Sequence, residues 1–240
     1  MLAKSVFGLG LGVWLLWGGT LLLSPQDPQD SSSSLVSEST SKPSLSSPSI
    51  KFALKFPGSN PESYSIEIGS DGRAVYDSLA RSDADSDSST PFHWDFSIAN
   101  SNRDRIFDLA RDAKFFTGNL DSGRKLAFTG RKTLQFNNGP TPSSATYNYS
   151  DNKSIQELTS YFEGIALTLE LVRRLDYDLR FQKLALDTEL KSMEAQLADR
   201  QLSELQAAGP VLQRIAADPG VMKTVRAKAQ LLAERGKAAN

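Results

Sequence analysis

The segment 64–79, YSIEIGSDGRAVYDSL, restricts the fold of this chain more than any other stretch. In its first half, large apolar residues alternate with small or charged ones, which is the period of a strand with one buried face. Asp71 and Gly72 then supply the positive φ angles of a tight turn, and the apolar residues of AVYDSL form a return strand. The segment therefore predicts a β-hairpin, and with it an antiparallel sheet.

Further stretches show the same alternation. IKFALKF at 50–56 and PFHWDF at 91–96 each predict a strand. RKTLQF and ATYNYS predict a second hairpin, because an Asn-Gly turn signal lies in the NNGPTPSS that separates them.

Two segments have helical spacing instead. SNRDRIFDLARDAKFF places its apolar residues on one face, with Ser101 or Asn102 as the cap. SIQELTSYFEGIALTLELVRRL opens with Ser154 and Glu157 at capping-box spacing and continues with one apolar stripe. The order of strands, helix, strands and helix over 50–172 predicts an α+β domain in which helices cover an antiparallel sheet.

The C-terminal region 173–240 is predicted to be helical, either as a small antiparallel bundle or as a helical hairpin (helix-turn-helix) extension. Gly209 and Pro210 should kink or break one helix, and Asp218 with Pro219 should start the last one. An apolar stripe near the a and d positions of a coiled coil is expected to contact a protein partner. Its residues are Leu179, Leu186, Leu190, Met193 and Leu197.

The N-terminal residues 1–23 predict a signal peptide or a membrane anchor. An uncharged apolar run at 6–23 follows Lys4, an arrangement typical of export signals, and its length suits a retained anchor equally well. Residues 24–49 are rich in serine and proline and cannot bury enough apolar surface to offset their conformational entropy, so they predict a disordered tether. We therefore expect an exported protein, either periplasmic or anchored through 6–23 and facing the periplasm.

The composition excludes several classes of function. The formal net charge of -1 gives no surplus of cations for nucleic acid. The absence of cysteine excludes disulfides and thiolate chemistry, and a single histidine disfavours a zinc site. No nucleotide-binding or hydrolase motif is present. The sequence therefore predicts no cofactor, no metal site and no catalytic residue.

The acidic loop 82–89 resembles a calcium-binding loop only in part. Asp83, Asp85 and Asp87 alternate in SDADSDSS, but the central glycine and closing glutamate of an EF-hand loop are missing. We interpret the loop as solvated, with a weak cation site as the alternative.

His93 is the only histidine, and it lies next but one to Asp95 in the predicted strand 91–96. The alternation turns Trp94 and its aromatic neighbours toward the core and leaves His93 and Asp95 together on the solvated face. Such a pair raises the pKa of a histidine without catalysis. We interpret 91–96 as the central strand of the sheet, in which Trp94 matters more than His93.

Other polar residues are candidates for chemistry. Asp176 and Asp178 in RRLDYDLRF are the best candidates for paired catalytic carboxylates, although an interruption between two helices explains them more simply. Arg173 and Arg174 could bind an anion, or lie on a solvated helix face, or pair with the aspartates. A group of aromatic residues could line a ligand cleft, although its spacing suits a core between sheet and helix. The group comprises Phe115, Phe116, Phe136, Tyr147 and Tyr149.

The segment from Tyr64 to about Ile165 resembles small exported bacterial domains of uncharacterised function. The shared parts are the hairpin YSIEIGSDGRAVY, the helix end LARDAKFF, the strand ATYNYSD and the closing helix LTSYFEGI. Many such domains have G-x-C-P-x-Y before the hairpin, whereas this chain has GSNPESY with Asn60 at the cysteine position. The layout is also similar to emfourin-like inhibitors of bacterial metallopeptidases. The resemblance covers less than half of the chain and implies an α+β fold.

These features favour a non-enzymatic envelope protein that acts through contacts with an unidentified protein partner. A protease-inhibitor-like module is the alternative, in which an edge strand or hairpin loop would occupy a protease cleft. A carboxylate-dependent hydrolase that uses Asp176 and Asp178 is the third hypothesis. The partner and the oligomeric state stay open at this point.

Overall fold

An antiparallel sheet of six strands forms one layer of the protein. The computed structural model describes residues 47–81 and 89–238, all within the compact unit Pro43–Asn240. The strands are β1 (Ser49–Lys55), β2 (Ser63–Gly69), β3 (Arg73–Arg81), β4 (Ser89–Ser97), β5 (Arg131–Asn137) and β6 (Ser143–Tyr147). Their order across the sheet is β4-β3-β2-β1-β5-β6, and all neighbours are antiparallel.

Both predicted hairpins are confirmed. In the first, Ile68 pairs with Ala74, and Gly72 has the positive φ of 83° that the turn requires. In the second, β5 pairs with β6, and Gly139 in the connection has a φ of 93°. Local turn chemistry and period-2 patterning were sufficient to predict these pairs.

The predicted position of 91–96 at the centre of the sheet is wrong, because β4 is an edge strand. The predicted alternation within it is confirmed: Phe92, Trp94 and Phe96 are half-buried, whereas His93 and Asp95 are exposed. β4 lies at the edge because the later strand β5 does not pair with it. β5 pairs instead with the free side of β1, at the other end of the β1-β2-β3-β4 meander.

Within the described residues, five α-helices complete the α+β fold that the sequence predicts. They are α1 (Asn100–Asp112), α2 (Lys153–Phe181), α3 (Leu186–Ala198), α4 (Gly209–Ala217) and α5 (Lys223–Ala238). The boundary predicted between 172 and 173 falls inside α2, and buried residues on both sides of it belong to one hydrophobic core.

Several predicted helix ends differ from the structure. The N-cap of α1 is Ala99, without a side-chain cap, rather than Ser101 or Asn102. The N-cap of α2 is Asn152, whose side chain accepts from two backbone N–H groups and so replaces the predicted capping box at Ser154. Asp218 ends α4 instead of starting α5, and its Oδ1 accepts from the N–H of Gly220.

The predicted break at Gly209 and Pro210 is the start of a helix. A 3₁₀ turn, Leu205–Ala208, leads directly into α4, and Pro210 occupies its first turn, where a missing N–H removes no helical hydrogen bond.

The leucine stripe of the C-terminal region is part of the core. Leu179 belongs to α2, whereas Leu186, Leu190 and Met193 belong to α3 and are fully buried. The expectation that the stripe contacts a partner is therefore wrong for Leu186, Leu190 and Met193, whose side chains are inside the protein, while Leu197 is half-buried against the same core.

A buried carboxylate joins the C-terminal region to the first two helices. Glu204 accepts from the N–H of Ala99 at 3.0 Å and from Nδ2 of Asn102 at 2.6 Å. The hydroxyl of Tyr161 on α2 and the side-chain amide of Gln206 also donate to it. Four donors satisfy the charge of this carboxylate away from water, which a buried ion requires.

Three predictions lie outside the described residues. They concern the apolar run 6–23, the tether up to residue 46, and residues 82–88 of the acidic loop. Among the residues that the structure describes, no helix combines the length and the apolar character needed to cross a membrane.

Candidate protein-binding site

A cleft of about 510 Å³ lies between the start of β4 and the C-terminal part of α2. Thr90, Pro91 and Phe92 form the wall on the sheet side, and α2 from Arg173 to Phe181 forms the opposite wall. The cleft exists because α2, with 29 residues, is long enough to extend past the edge of the sheet that it covers.

Ion pairs hold the arginines of this cleft. Nε of Arg173 lies 2.7 Å from Oε2 of Glu170, and Nε of Arg174 lies 2.9 Å from Oε2 of Glu189. One predicted alternative is that these arginines pair with the nearby Asp176 and Asp178. They do pair with acidic residues, but the partners are glutamates.

Glu170 connects this network to the sheet. Its Oε1 accepts from the hydroxyls of Tyr76 and Ser78, each at 2.7 Å, and its Oε2 faces Arg173. Burial and the neighbouring Glu170 raise the pKa of Tyr76, so the hydroxyl stays a donor. Three donors on one buried carboxylate thus hold α2 against β3 and position Arg173, which lines the cleft.

Asp176 and Asp178 do not interrupt a helix, as the sequence predicted, because α2 continues through both to Phe181. Oδ1 of Asp176 lies 2.6 Å from Arg214, and Oδ2 lies 2.7 Å from Arg180, so guanidinium groups occupy both oxygens. Asp178 is buried, and burial, followed by the charge of Glu189, raises the pKa of its carboxyl group. The two carboxylates therefore differ in their partners and in their burial.

Exposed apolar side chains border the cleft on its helical side. Phe181 is 69% exposed and Leu184, in the connection to α3, is 83% exposed. The ring of Tyr177, also exposed, lies 5.0 Å from the ring of Phe181 between centroids. We call Tyr177, Phe181 and Leu184 the α2 ridge. Clustered exposed aromatic residues beside a concave surface are typical of binding sites.

The other wall presents an open strand edge. The carbonyl of Leu79 accepts from the N–H of Glu62, so its backbone groups point toward β2 and away from β4. Leu79 pairs with Pro91, and this pair is therefore one without mutual hydrogen bonds. The backbone C=O group of Pro91 therefore points away from β3. By alternation, the backbone N–H and C=O groups of His93 and Asp95 point away from β3 as well. Within the described part of the chain, no strand pairs with this side of β4.

Pro91 fits this position, since an outward-facing residue of an edge strand has no ladder bond to lose. Beyond it, the N–H groups of His93 and Asp95 are available to an added strand.

His93 has a partner that the sequence analysis missed. Its Nδ1 lies 2.7 Å from Oδ1 of Asp77, directly across from it on β3, whereas its Nε2 lies 3.5 Å from Oδ1 of Asp95. The hydrogen bond with Asp77 raises the pKa of His93, and Asp95 adds to this effect. Across the ranges 47–81 and 89–238, no group of acidic and histidine residues has the arrangement of a metal site.

The predicted aromatic cluster belongs mainly to the core. Phe116 and Tyr147 are buried, and the ring of Phe115 stacks on that of Phe136 at 4.4 Å. Tyr149 alone among them is exposed, at the rim of a polar cavity of about 420 Å³.

The α2 ridge was also missed, although the sequence contains a signal for it. Tyr177 and Phe181 are four residues apart and lie off the stripe formed by the buried Leu175 and Leu179. A second apolar stripe on one helix, outside the stripe that faces the core, indicates a surface available for contact.

Comparison with models of known protein families finds no family that matches this chain, and a search of curated proteins finds no match. The resemblance to exported bacterial domains and to emfourin-like inhibitors stays a prediction.

Proposed function

We propose that this chain is an exported or membrane-tethered bacterial envelope protein that acts by binding a protein partner, without catalysis. The observation that carries the proposal is the α2 ridge, which stands beside a cleft whose opposite wall is an open strand edge. The export part of the proposal rests on the apolar run 6–23 and the tether 24–49.

The partner contributes an extended segment that adds to β4 as a further strand. The outward N–H groups of His93 and Asp95 donate to its carbonyls, and pairing ends at Pro91, which has no N–H. Because Pro91 lies at the cleft, the segment leaves the strand edge there and meets Tyr177 and Phe181. Main-chain hydrogen bonds supply the pairing, and the apolar contact with the ridge supplies the specificity.

The charges of the cleft indicate which side chains the segment has there. Arg174 pairs with Glu189, and Arg180 pairs with Asp176, so the arginines already have acidic partners. A charged side chain would have to displace one of these partners and lose water as well. We therefore expect uncharged, apolar side chains where the segment enters the cleft.

Site-specific photocrosslinking tests the proposal in cells that produce the full-length chain. Benzoylphenylalanine at position 181 and at position 95 should capture the same partner, since one segment pairs with the edge of β4 and contacts the α2 ridge. The control is position 231, where Leu231 on α5 is exposed as well but lies away from the cleft. Capture from neither cleft position, or equal capture from position 231, would contradict the proposal.

A protease inhibitor is the second candidate, and the edge position of β4 is the observation that favours it. In this case β4 itself would enter a protease cleft as the added strand. The full-length chain should then slow a secreted metallopeptidase at micromolar concentration or below. Unchanged hydrolysis across a panel of such enzymes would rule this candidate out.

A further inference from the structure

Among the residues that the structure describes, Asp178 is the one buried polar side chain without a hydrogen bond. It is 7% exposed, and its carboxylate forms neither a hydrogen bond nor an ion pair with a described residue. A buried charge without a partner is costly, and folded proteins normally pair such groups. The other buried polar side chains all have hydrogen-bond partners, and they are Ser49, Ser78, Lys132, Ser150, Thr168, Glu170 and Glu204.

The nearest cation along the helix is engaged elsewhere. Arg174 lies four residues before Asp178 on α2, at the spacing where opposite charges often form an ion pair. Its Nε lies instead 2.9 Å from Oε2 of Glu189 on α3. Burial, followed by the charge of Glu189, raises the pKa of Asp178, so the folded protein carries this charge at a cost in stability.

Asp178 lines the cleft beside β4, within reach of anything that contacts the α2 ridge. It lies three residues before Phe181, and side chains at this spacing are neighbours on a helix surface. An ionised carboxylate can only accept hydrogen bonds, so a segment in the cleft must bring an N–H or O–H donor to satisfy it.

The other charges of the cleft favour an uncharged donor. Arg173, Arg174 and Arg180 also line it, so a lysine or arginine of the segment would approach like charges and lose its water. An amide or a hydroxyl loses less on burial and still forms a charge-assisted hydrogen bond with a carboxylate.

We propose that Asp178 is a specificity-determining residue of the cleft, which accepts a hydrogen bond from an asparagine, glutamine, serine or threonine side chain of the partner segment. This inference rests on the proposed function, in which the segment adds to β4 and meets the α2 ridge. It assigns one uncharged donor to a position among the apolar side chains of that segment. A segment that is apolar at this position leaves the carboxylate buried and unpaired, and is therefore rejected.

The segment captured by benzoylphenylalanine at position 181 tests the proposal in cells that produce the full-length chain. Mass spectrometry of the crosslinked peptide identifies the residues of the partner at the cleft, and one of them should be an asparagine, glutamine, serine or threonine. Capture of a segment with only apolar or charged side chains there would overturn the proposal, while the proposed function would stand. Absence of capture would contradict the proposed function and this inference with it.

A double-mutant cycle measures whether Asp178 recognises that donor. Asp178→Leu, and separately the exchange of the partner's donor residue for an apolar one, should each weaken binding roughly tenfold or more, as the loss of a hydrogen bond to a charged group does. The two changes together should weaken binding little more than either alone. The matched control is Asp108→Leu, exposed on α1 and outside the cleft lining, which should leave the affinity unchanged. Additive effects of Asp178→Leu and the exchange in the partner would overturn the proposal.

The stability of the protein without its partner gives a readout that a structural carboxylate would not produce. Asp178→Asn removes a buried charge that has no partner, so it should not lower the urea midpoint of the full-length chain. Asp176→Asn is the matched control, because it weakens the contacts with Arg180 and Arg214 and should lower the midpoint. A lower midpoint for Asp178→Asn would show that the fold itself satisfies this carboxylate, and would overturn the proposal.

Discussion

Two sets of apolar side chains lie on either side of the connection between α2 and α3, and one set is buried whereas the other is exposed. Leu186 and Leu190, which follow the spacing of a partner-binding stripe, are completely buried in the core of the protein itself. Tyr177, Phe181 and Leu184, which follow no such stripe, are exposed beside the cleft. Helical spacing therefore identifies the side of a helix that is buried, and the apolar residues left off that side mark the surface available to a partner.

Leu190→Asp should give the largest effect on stability. It places a carboxylate without a partner where a fully buried leucine packs, and we expect a loss of more than about 4 kcal/mol in the free energy of unfolding. Urea unfolding followed by circular dichroism measures this. Phe181→Asp is the matched control on the exposed surface and should change stability by no more than about 0.5 kcal/mol. Similar losses in both variants would contradict the distinction between the two surfaces.

Glu170→Ala should give the next largest effect. The substitution leaves the hydroxyls of Tyr76 and Ser78 and the guanidinium of Arg173 without their buried acceptor, at a cost of roughly 2–4 kcal/mol. The control is Glu157→Ala, which removes a glutamate from an exposed ion pair with Arg105, and its unfolding midpoint should hardly move. An equally small effect at Glu170 would show that this carboxylate does not hold α2 against β3 as described.

The parts of the fold that sequence predicts are those with local causes. The turn at Gly72 and the alternation on either side of it lie within about sixteen residues, so the hairpin could be predicted without knowledge of the rest. The edge position of β4 could not be predicted in this way, because it depends on the pairing of β5 with β1, two strands that are about eighty residues apart in the sequence.

The candidate site escaped prediction for related reasons. Asp176 and Asp178 have low helix propensity, yet burial of Leu175 and Leu179 keeps α2 helical through both, since tertiary packing overrides local preference. The partner of His93 depends on the register between β3 and β4, which no spacing within one strand reveals.

His93 should give the smallest effect, because its ion pair lies on the exposed face of the sheet. Asp77 raises its pKa in the folded state, so the contribution to stability is complete below the unfolded pKa of about 6.5 and is lost as the pH rises through the folded value. The side chain is 56% exposed, so we expect less than about 1 kcal/mol. The measurement is the difference in unfolding free energy between the wild type and His93→Gln at acidic and at alkaline pH. A difference that grows on the alkaline side would contradict the assigned pair.

The affinity for the partner captured from position 181 tests the central claim most directly. Phe181→Asp should weaken binding about 30-fold or more, as the loss of an aromatic anchor at the centre of an interface does, while the folded state is retained. Leu231→Asp, which introduces the same charge at an exposed position away from the cleft, should leave the affinity unchanged. Equal affinities of the two variants would contradict the claim that the α2 ridge binds the partner.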